Sequence, residues 1–389
     1  MTDTETRLRD YLHTQAAAVP DTAQGPGFEP PVRRRHWPVL AAAATIAVVL
    51  VITVTFLTRT SDDGSIPVPA GPPPGPVSHA APEVPYTVMT GDTWTDLHAT
   101  LHDGDQTVQL PAGVGGFGGR VDGGWFGTKL VRGKGAQAGI LKPDGTFRTI
   151  GPEGIELAVL SPDHRQVAVI LHLDEKGAIA IFDVKSGKEV TRTPVLPVPP
   201  ADLAWNQSGI WVRVDQSAQN QPTTYELYNW RPKSGKVTRV PLPQYNGGLA
   251  APGASDVVSV TRRRGNNRCL RAGVLRDGQF DTTREYCDVA AAATYPVMSQ
   301  DGRTMVSSDV KLAIDIESGK QTKLQLPADT EVTSFPAPVF ENVSQVLLVT
   351  RPAGNNRLPV KEKVYRCDVR SGECAVALST SGGVTLYQQ

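Results

Sequence analysis

Hydrophobic and polar positions divide the chain into three regimes. The first apolar feature is residues 37–57, WPVLAAAATIAVVLVITVTFL, an uncharged run of 21 residues between Arg33-Arg34-Arg35 and Asp62-Asp63. At about 1.5 Å per residue, a helix of this length spans the roughly 30 Å hydrocarbon core of a bilayer. The run therefore predicts a single membrane anchor, with Trp37 and Pro38 at its start, Leu50 in its body and Phe56 and Leu57 at its end. Pro38 falls in the first helical turn, where it has no backbone hydrogen bond to lose. Three arginines precede the run and only Arg59 follows closely, which places residues 1–36 in the cytoplasm and the remainder outside. A cleaved secretory signal is the alternative, but its apolar region is only about 7–15 residues long, and Leu57-Thr58-Arg59 offers no small-x-small cleavage site.

The second regime, residues 58–85, has almost no apolar periodicity. Within 61–85, eight of 25 positions are proline. Such sequence favours extended polyproline geometry at about 3.1 Å per residue and predicts a semi-rigid stalk.

From residue 86 to 389 the pattern becomes short apolar runs separated by turn residues, with no long stretch of helical period. The clearest unit is residues 155–193, where Ile155–Leu160, Val167–Leu171, Ala178–Val184 and Glu189–Thr193 are parted by Ser161-Pro162-Asp163, Glu175-Lys176-Gly177 and Lys185-Ser186-Gly187. That is four strands and three turns. Residues 294–326 repeat the plan and residues 201–243 do so more loosely. Turns ending in glycine recur at Gly104, Gly145, Gly187, Gly235, Gly278, Gly319 and Gly372, spaced 41, 42, 48, 43, 41 and 53 residues apart. A period in the forties is what four-stranded propeller blades require.

The Ser-Pro-Asp turn before a buried strand, followed by Ile181-Phe182-Asp183-Val184-Lys185-Ser186-Gly187-Lys188, resembles the blades of WD-repeat and TolB-type propellers. The likeness covers about residues 86–389, although the Trp-Asp and Gly-His signatures of true WD repeats are absent. It implies an all-β class, a β-propeller of seven blades with six as the alternative, behind the N-terminal transmembrane helix. Because residues 86–111 are too short for four strands, Val384-Thr385-Leu386-Tyr387 is expected to complete the first blade, which would leave no open sheet edge there. Fold alone implies little about activity.

Composition agrees with a folded outer domain: 40% of residues are hydrophobic and 20% charged. Formal net charge is zero, so nothing global points to nucleic acid. The cysteines Cys269, Cys287, Cys367 and Cys374 all fall on the outer side, where thiols oxidise. In YRCDVRSGECAV the turn centres between Arg370 and Ser371 and sets Cys367 opposite Cys374. Cys269 and Cys287 then pair across the neighbouring hairpin.

Candidate chemistry is sparse. Gly113, Gly115 and Gly118 spell G-x-G-x-x-G, yet no helical pattern follows, so the amide array that holds pyrophosphate is lacking; the glycines are expected to serve a sharply turning loop. His98 and His102 lie four apart on a strand, about 13 Å, too far for one metal. No nucleophile-elbow, zinc-helix or phosphate-loop motif appears, and Asp163, Asp183, Asp301 and Asp315 suit turns. No catalytic residue, cofactor or metal site is assigned. Arg262, Arg263, Arg264, Arg268, Arg271 and Arg276 fall within 15 positions. Arginine forks take carboxylates and phosphates, so Arg262, Arg263, Arg264 and Arg268 are candidates for binding an anionic polymer or lipid headgroup; a solvated hairpin loop is the favoured reading, and alternation along its strands is expected to split the arginines between faces.

In the cytoplasmic segment, Thr2 and Glu5 can form a capping box, with Leu8, Tyr11, Leu12, Ala16 and Val19 at helical spacing. A short inner helix, one span and an outer domain resemble bacterial membrane regulators in outline. Two function classes remain. One is a cell-membrane platform or sensor binding an extracytoplasmic protein, peptide or anionic polymer, for which Trp94, Trp125, Trp205, Trp211 and Trp230 are surface candidates as well as core ones. The other is a propeller hydrolase or lyase with acids and histidines converging on the channel.

Overall fold

Glycine-punctuated hairpins determine the architecture. The computed structural model describes residues 77–90, 98–173, 176–196, 198, 200–216, 224–264, 267–287, 297–307, 311–333, 337–353 and 361–387. The expected membrane helix with Trp37, Pro38, Leu50, Phe56 and Leu57, the cytoplasmic helix, most of the stalk and Trp94 lie outside the described residues. Among those described, every regular element is a strand, and no helix is long and apolar enough to cross a membrane.

The strands group into seven blades. Blade 1 combines β1 (Tyr86–Thr90), β2 (His98–Asp103) and β3 (Gln106–Gln109) with the C-terminal β28 (Gly383–Leu386), in the order β28-β1-β2-β3. Blades 2 and 3 share one continuous sheet of β4 (Val114–Val121), β5 (Gly124–Val131), β6 (Gly135–Leu141), β7 (Phe147–Leu160), β8 (Gln166–Leu173), β9 (Lys176–Asp183) and β10 (Glu189–Arg192). Strand β7 serves both: Phe147–Ile150 pairs with β6 as the outer strand of blade 2, and Ala158–Leu160 pairs with β8 as the inner strand of blade 3. Gly151 and Gly154, at φ 69° and 81°, carry the chain between the two.

Blade 4 is β11 (Pro200–Asn206), β12 (Gly209–Gln216), β13 (Thr224–Arg231) and β14 (Lys236–Val240). Blade 5 is β15 (Tyr245–Ala250), β16 (Val258–Arg264), β17 (Asn267–Arg276) and β18 (Gln279–Tyr286). Blade 6 is the short set β19 (Val297–Met298), β20 (Thr304–Ser307), β21 (Leu312–Asp315) and β22 (Gln321–Lys323). Blade 7 holds β23 (Thr330–Val332), β24 (Val339–Phe340), β25 (Gln345–Pro352), β26 (Lys363–Asp368) and β27 (Cys374–Ser379); β23 and β24 pair successive parts of β25 and form one interrupted inner strand.

All seven turn glycines occupy the same place, between the third and outermost strands of their blades, with φ between 56° and 81°. In four blades an aspartate organises that turn, Asp144 in blade 2 accepting from the N–H and hydroxyl of Thr146. Asp183 accepts from the N–H and hydroxyl of Ser186, Asp315 from those of Ser318, and Asp368 from the N–H groups of Arg370 and Ser371.

The core sits between blades. Seven buried clusters are found among the described residues, one at each junction, including blade 7 against blade 1 through Leu347 and Val349 with Val84, Val384 and Leu386. A mid-blade strand therefore buries both faces. On β8, Val167 and Val169 face blade 2 while Ala168 joins the cluster shared with blade 4. This is why QVAVIL and AIAIF read as continuous apolar runs, each large side chain contributing about 1.5–3 kcal/mol of burial. Ring closure comes from β28, whose residues 383–386 pair in register with Met89 to Tyr86.

Candidate functional site

Inner strands from all seven blades converge on a central cavity of about 750 Å³. Its lining includes Phe117 from β4, Leu160 from β7, Leu203 and Trp205 from β11, Leu249 from β15, Met298 from β19, Val339 from β24 and Leu386 from β28. No aspartate, glutamate, lysine or arginine is among the described lining residues. The polar groups present are engaged. Ser161 Oγ donates to Asp163 Oδ1 at 2.6 Å, and His164 Nδ1 lies 2.7 Å from the carbonyl oxygen of Arg120. Tyr387 Oη is 2.8 Å from Thr87 Oγ1, and burial pushes the phenol up to about 12. Phe117 meets the Tyr387 ring edge-on at 5.0 Å.

Of the tryptophans named from sequence, Trp205 lines the channel. Trp125, Trp211 and Trp230 are 3%, 0% and 1% exposed and belong to interblade cores. The aspartates do turn work: Asp163 and Asp301 each accept from the serine two residues earlier, and the Ser161 bond lowers the Asp163 carboxyl below its ordinary range. His98 and His102 lie on β2, and His102 stacks on Tyr86 at 5.0 Å while burial lowers its imidazole. The glycine motif differs from expectation. Gly115 and Gly118 belong to the irregularly paired inner strand β4 rather than to a loop, because Gly116 at φ 56° lets the strand bulge beside Thr128.

Both disulfides are present, Cys269–Cys287 and Cys367–Cys374, each joining facing strands with Cα atoms 4.0 and 4.1 Å apart. Beside the first, Arg262 and Arg271 sit on β16 and β17 rather than in a solvated loop, and both turn to Glu285, at 3.2 and 2.9 Å. The side chains of Arg263, Arg264 and Arg268 fall outside the described residues.

Two polar clusters had no signal in the sequence, because their members are separated along the chain. In the first, Arg213 on β12 donates from Nε to Asp215 at 2.9 Å and from Nη1 to Asp202 at 3.2 Å and the Gly247 carbonyl at 2.7 Å, while its guanidinium lies 5.9 Å from the centre of the Tyr225 ring. Burial raises the Asp202 carboxyl against the pull of Arg213. In the second, Arg366 and Glu341 form a buried bidentate pair, 2% and 1% exposed. The remaining Arg366 N–H groups reach the carbonyls of Ser78, Ala80 and Ala81 at 2.8, 2.9 and 3.1 Å. Residues 78–83, which lead into β1, are thereby fastened to blade 7.

Comparison with known proteins gives fold alone. No family model and no curated protein matches the chain. Among solved structures, the β-propeller domain of the Trilobed protease from Pyrococcus furiosus, described as having an open velcro topology, is similar at 13% identity and TM-score 0.54, over 77% of this chain and 93% of that one. A chain of the Mitotic Checkpoint Complex is similar at 10% identity and TM-score 0.50, over 82% and 90%. TolB from Acinetobacter baumannii is similar at 13% identity and TM-score 0.41, over 79% and 67%. The strand order and the likeness to the protease's propeller domain make the described part of the chain a β-propeller.

Proposed function

We propose that the chain is a single-pass membrane protein whose extracytoplasmic propeller binds a protein or peptide, as a platform or sensor. The observation that carries this reading is the chemistry of the channel, where seven inner strands meet around a cavity of mixed apolar and uncharged polar lining with no carboxylate among its described lining residues. Hydrolysis or elimination there would need a paired acid and base. The one imidazole among the described lining residues, His164, has its Nδ1 on a backbone carbonyl and no carboxylate in the described lining with which to pair. The uncharged run at residues 37–57 and the arginines before it support anchoring with the domain outside. Two disulfides agree with an oxidising compartment.

The test is site-specific photocross-linking in intact cells, with the cross-linker at Pro162 on the channel rim or at Lys185 in an outer turn. A discrete adduct from Pro162 that is absent from Lys185 supports the binding reading. Turnover of an ester, peptide or glycoside panel by the purified chain, abolished in His164→Ala, would replace it with catalysis. External protease acting on a C-terminal tag in spheroplasts, without lysis, checks the topology.

A further inference from the structure

The bonds that engage the polar groups of the channel leave two atoms over. One is on His164, the fourth residue of the turn Ser161-Pro162-Asp163-His164 between β7 and β8. The turn Ser299-Gln300-Asp301-Gly302 between β19 and β20 is built the same way. In each, the serine hydroxyl donates to the aspartate at 2.6 Å, and the N–H of the fourth residue donates to the serine carbonyl at 2.9 Å. That fourth residue has a positive φ in both, 57° for His164 and 72° for Gly302. Such backbone favours glycine, which blade 6 has, so the turn itself supplies no reason for an imidazole in blade 3.

The bond that the imidazole makes fixes its chemistry. Nδ1 lies 2.7 Å from the Arg120 carbonyl, and a carbonyl only accepts, so Nδ1 carries the proton of the neutral ring. Nε2 is therefore an acceptor, turned away from that carbonyl on a ring that lines the cavity, and no described residue donates to it. The second atom is Nε1 of Trp205, on inner strand β11 of the next blade. Its indole N–H has no acceptor among the described residues, and unlike that of Trp230 it is not buried. Neighbouring blades thus present one acceptor and one donor in a lining with no charged side chain among its described residues.

This pairing selects among ligands. A metal ion would need further ligands, and the described lining holds no second histidine, no cysteine and no carboxylate. A charged group would give up its water with no opposite charge to meet. A sugar ring carries more hydroxyls than two atoms can serve, and the Ser161 and Tyr387 hydroxyls are committed to Asp163 and Thr87. A peptide unit has one N–H and one C=O, and apolar side chains beside it suit Phe117, Leu160 and Met298. Chain ends are charged, so the segment is internal to its own chain.

We propose that the channel mouth receives an uncharged, apolar peptide segment, with His164 Nε2 accepting a peptide N–H and Trp205 Nε1 donating to a peptide carbonyl. The proposal rests on the reading of the channel as a binding site and names the ligand chemistry and the two residues that select it.

The experiment pans random heptapeptides, displayed within a loop of a carrier protein so that neither end is free, on the full chain in nanodiscs. Enriched segments should lack Asp, Glu, Lys and Arg. The affinity of a selected carrier should fall on the order of tenfold in His164→Gly and in Trp205→Phe, each of which removes one hydrogen bond. The unfolding midpoint of His164→Gly should stay near the parent's, since Gly302 occupies the same turn position; should that variant fail to fold, Trp205→Phe decides alone. Enrichment of charged segments, no enrichment over empty nanodiscs, or an affinity unchanged in both variants would each overturn the proposal. A Pro162 cross-link that persists in His164→Gly would also overturn it while keeping the platform reading. His164-dependent binding of the selected carrier without any Pro162 cross-link in cells would support it and sink that reading.

Discussion

Arg366→Met should destabilise the domain by about 3–5 kcal/mol, the range for removing one partner of a buried ion pair. The magnitude follows from what is left behind. Glu341 is 1% exposed and would keep its charge with only the Glu83 N–H, at 2.5 Å, to hold it. The carbonyls of Ser78, Ala80 and Ala81 also lose their donor, but these residues are exposed, so water replaces it at little cost. The large term is therefore the stranded carboxylate. Replacing both partners, Arg366→Met with Glu341→Leu, removes that charge and should lose less than about 2 kcal/mol, because apolar replacement of a whole buried pair is often close to neutral. Urea unfolding followed by tryptophan fluorescence gives both values, and the double-mutant cycle gives the coupling. Protease cleavage within 77–85 should accelerate in the single variant. A single-variant loss under about 1 kcal/mol, or a double variant as unstable as the single one, would show that the pair behaves like an exposed one and that the reasoning fails.

Further outcomes are expected. Glu362 is 9% exposed, accepts the Val384 N–H at 2.6 Å and has its carboxyl raised by burial. A raised value means that the folded state holds the proton more tightly than the unfolded one, so this stabilisation is complete below the ordinary 4.5 and is lost as pH climbs through the raised value. Glu362→Gln should match the parent at pH 4 and exceed it at pH 7 in urea midpoint; equal midpoints at both pH values would contradict this. Thiol labelling should find no free cysteine before reduction and four after. Reduction should cost about 2–3 kcal/mol per bridge, more for Cys269–Cys287, whose separation of 18 exceeds the 7 of Cys367–Cys374.

Blade architecture was legible wherever local chemistry repeats. Gly104 to Gly372 each require a left-handed turn between two short apolar runs, and both requirements are written within a dozen residues, so seven turns announced seven blades. Closure by β28 was legible too, because residues 86–111 could not supply a fourth strand. Less visible was β7, which reads as the start of one blade at Ile155 yet begins as the end of another at Phe147. Nothing in its own sequence distinguishes those two duties from a loop and a strand. Polar sites were illegible for a different reason. Arg366 meets Ser78 across 288 positions and Arg213 meets Gly247 across 34, so neither pairing leaves a spacing or motif to recognise. In the arginine-rich stretch, alternation along the strands is expected to split the side chains between faces, and the two that are described, Arg262 and Arg271, both pair with the part-exposed Glu285.

The place of β28 bears on how the molecule comes into being. A chain made from its amino end presents the Tyr86–Met89 edge long before residues 383–386 exist to cover it. Until then the ring is an open arc with a sticky first strand, and such long-range pairing is slow to form. Residues 383–386 are thus the closing element: a chain that stops or is cut before them has six blades intact, the first one strand short, and an uncapped β1 ready to pair with a neighbour. Integrity of β28 therefore separates a closed ring from one that presents an open strand edge.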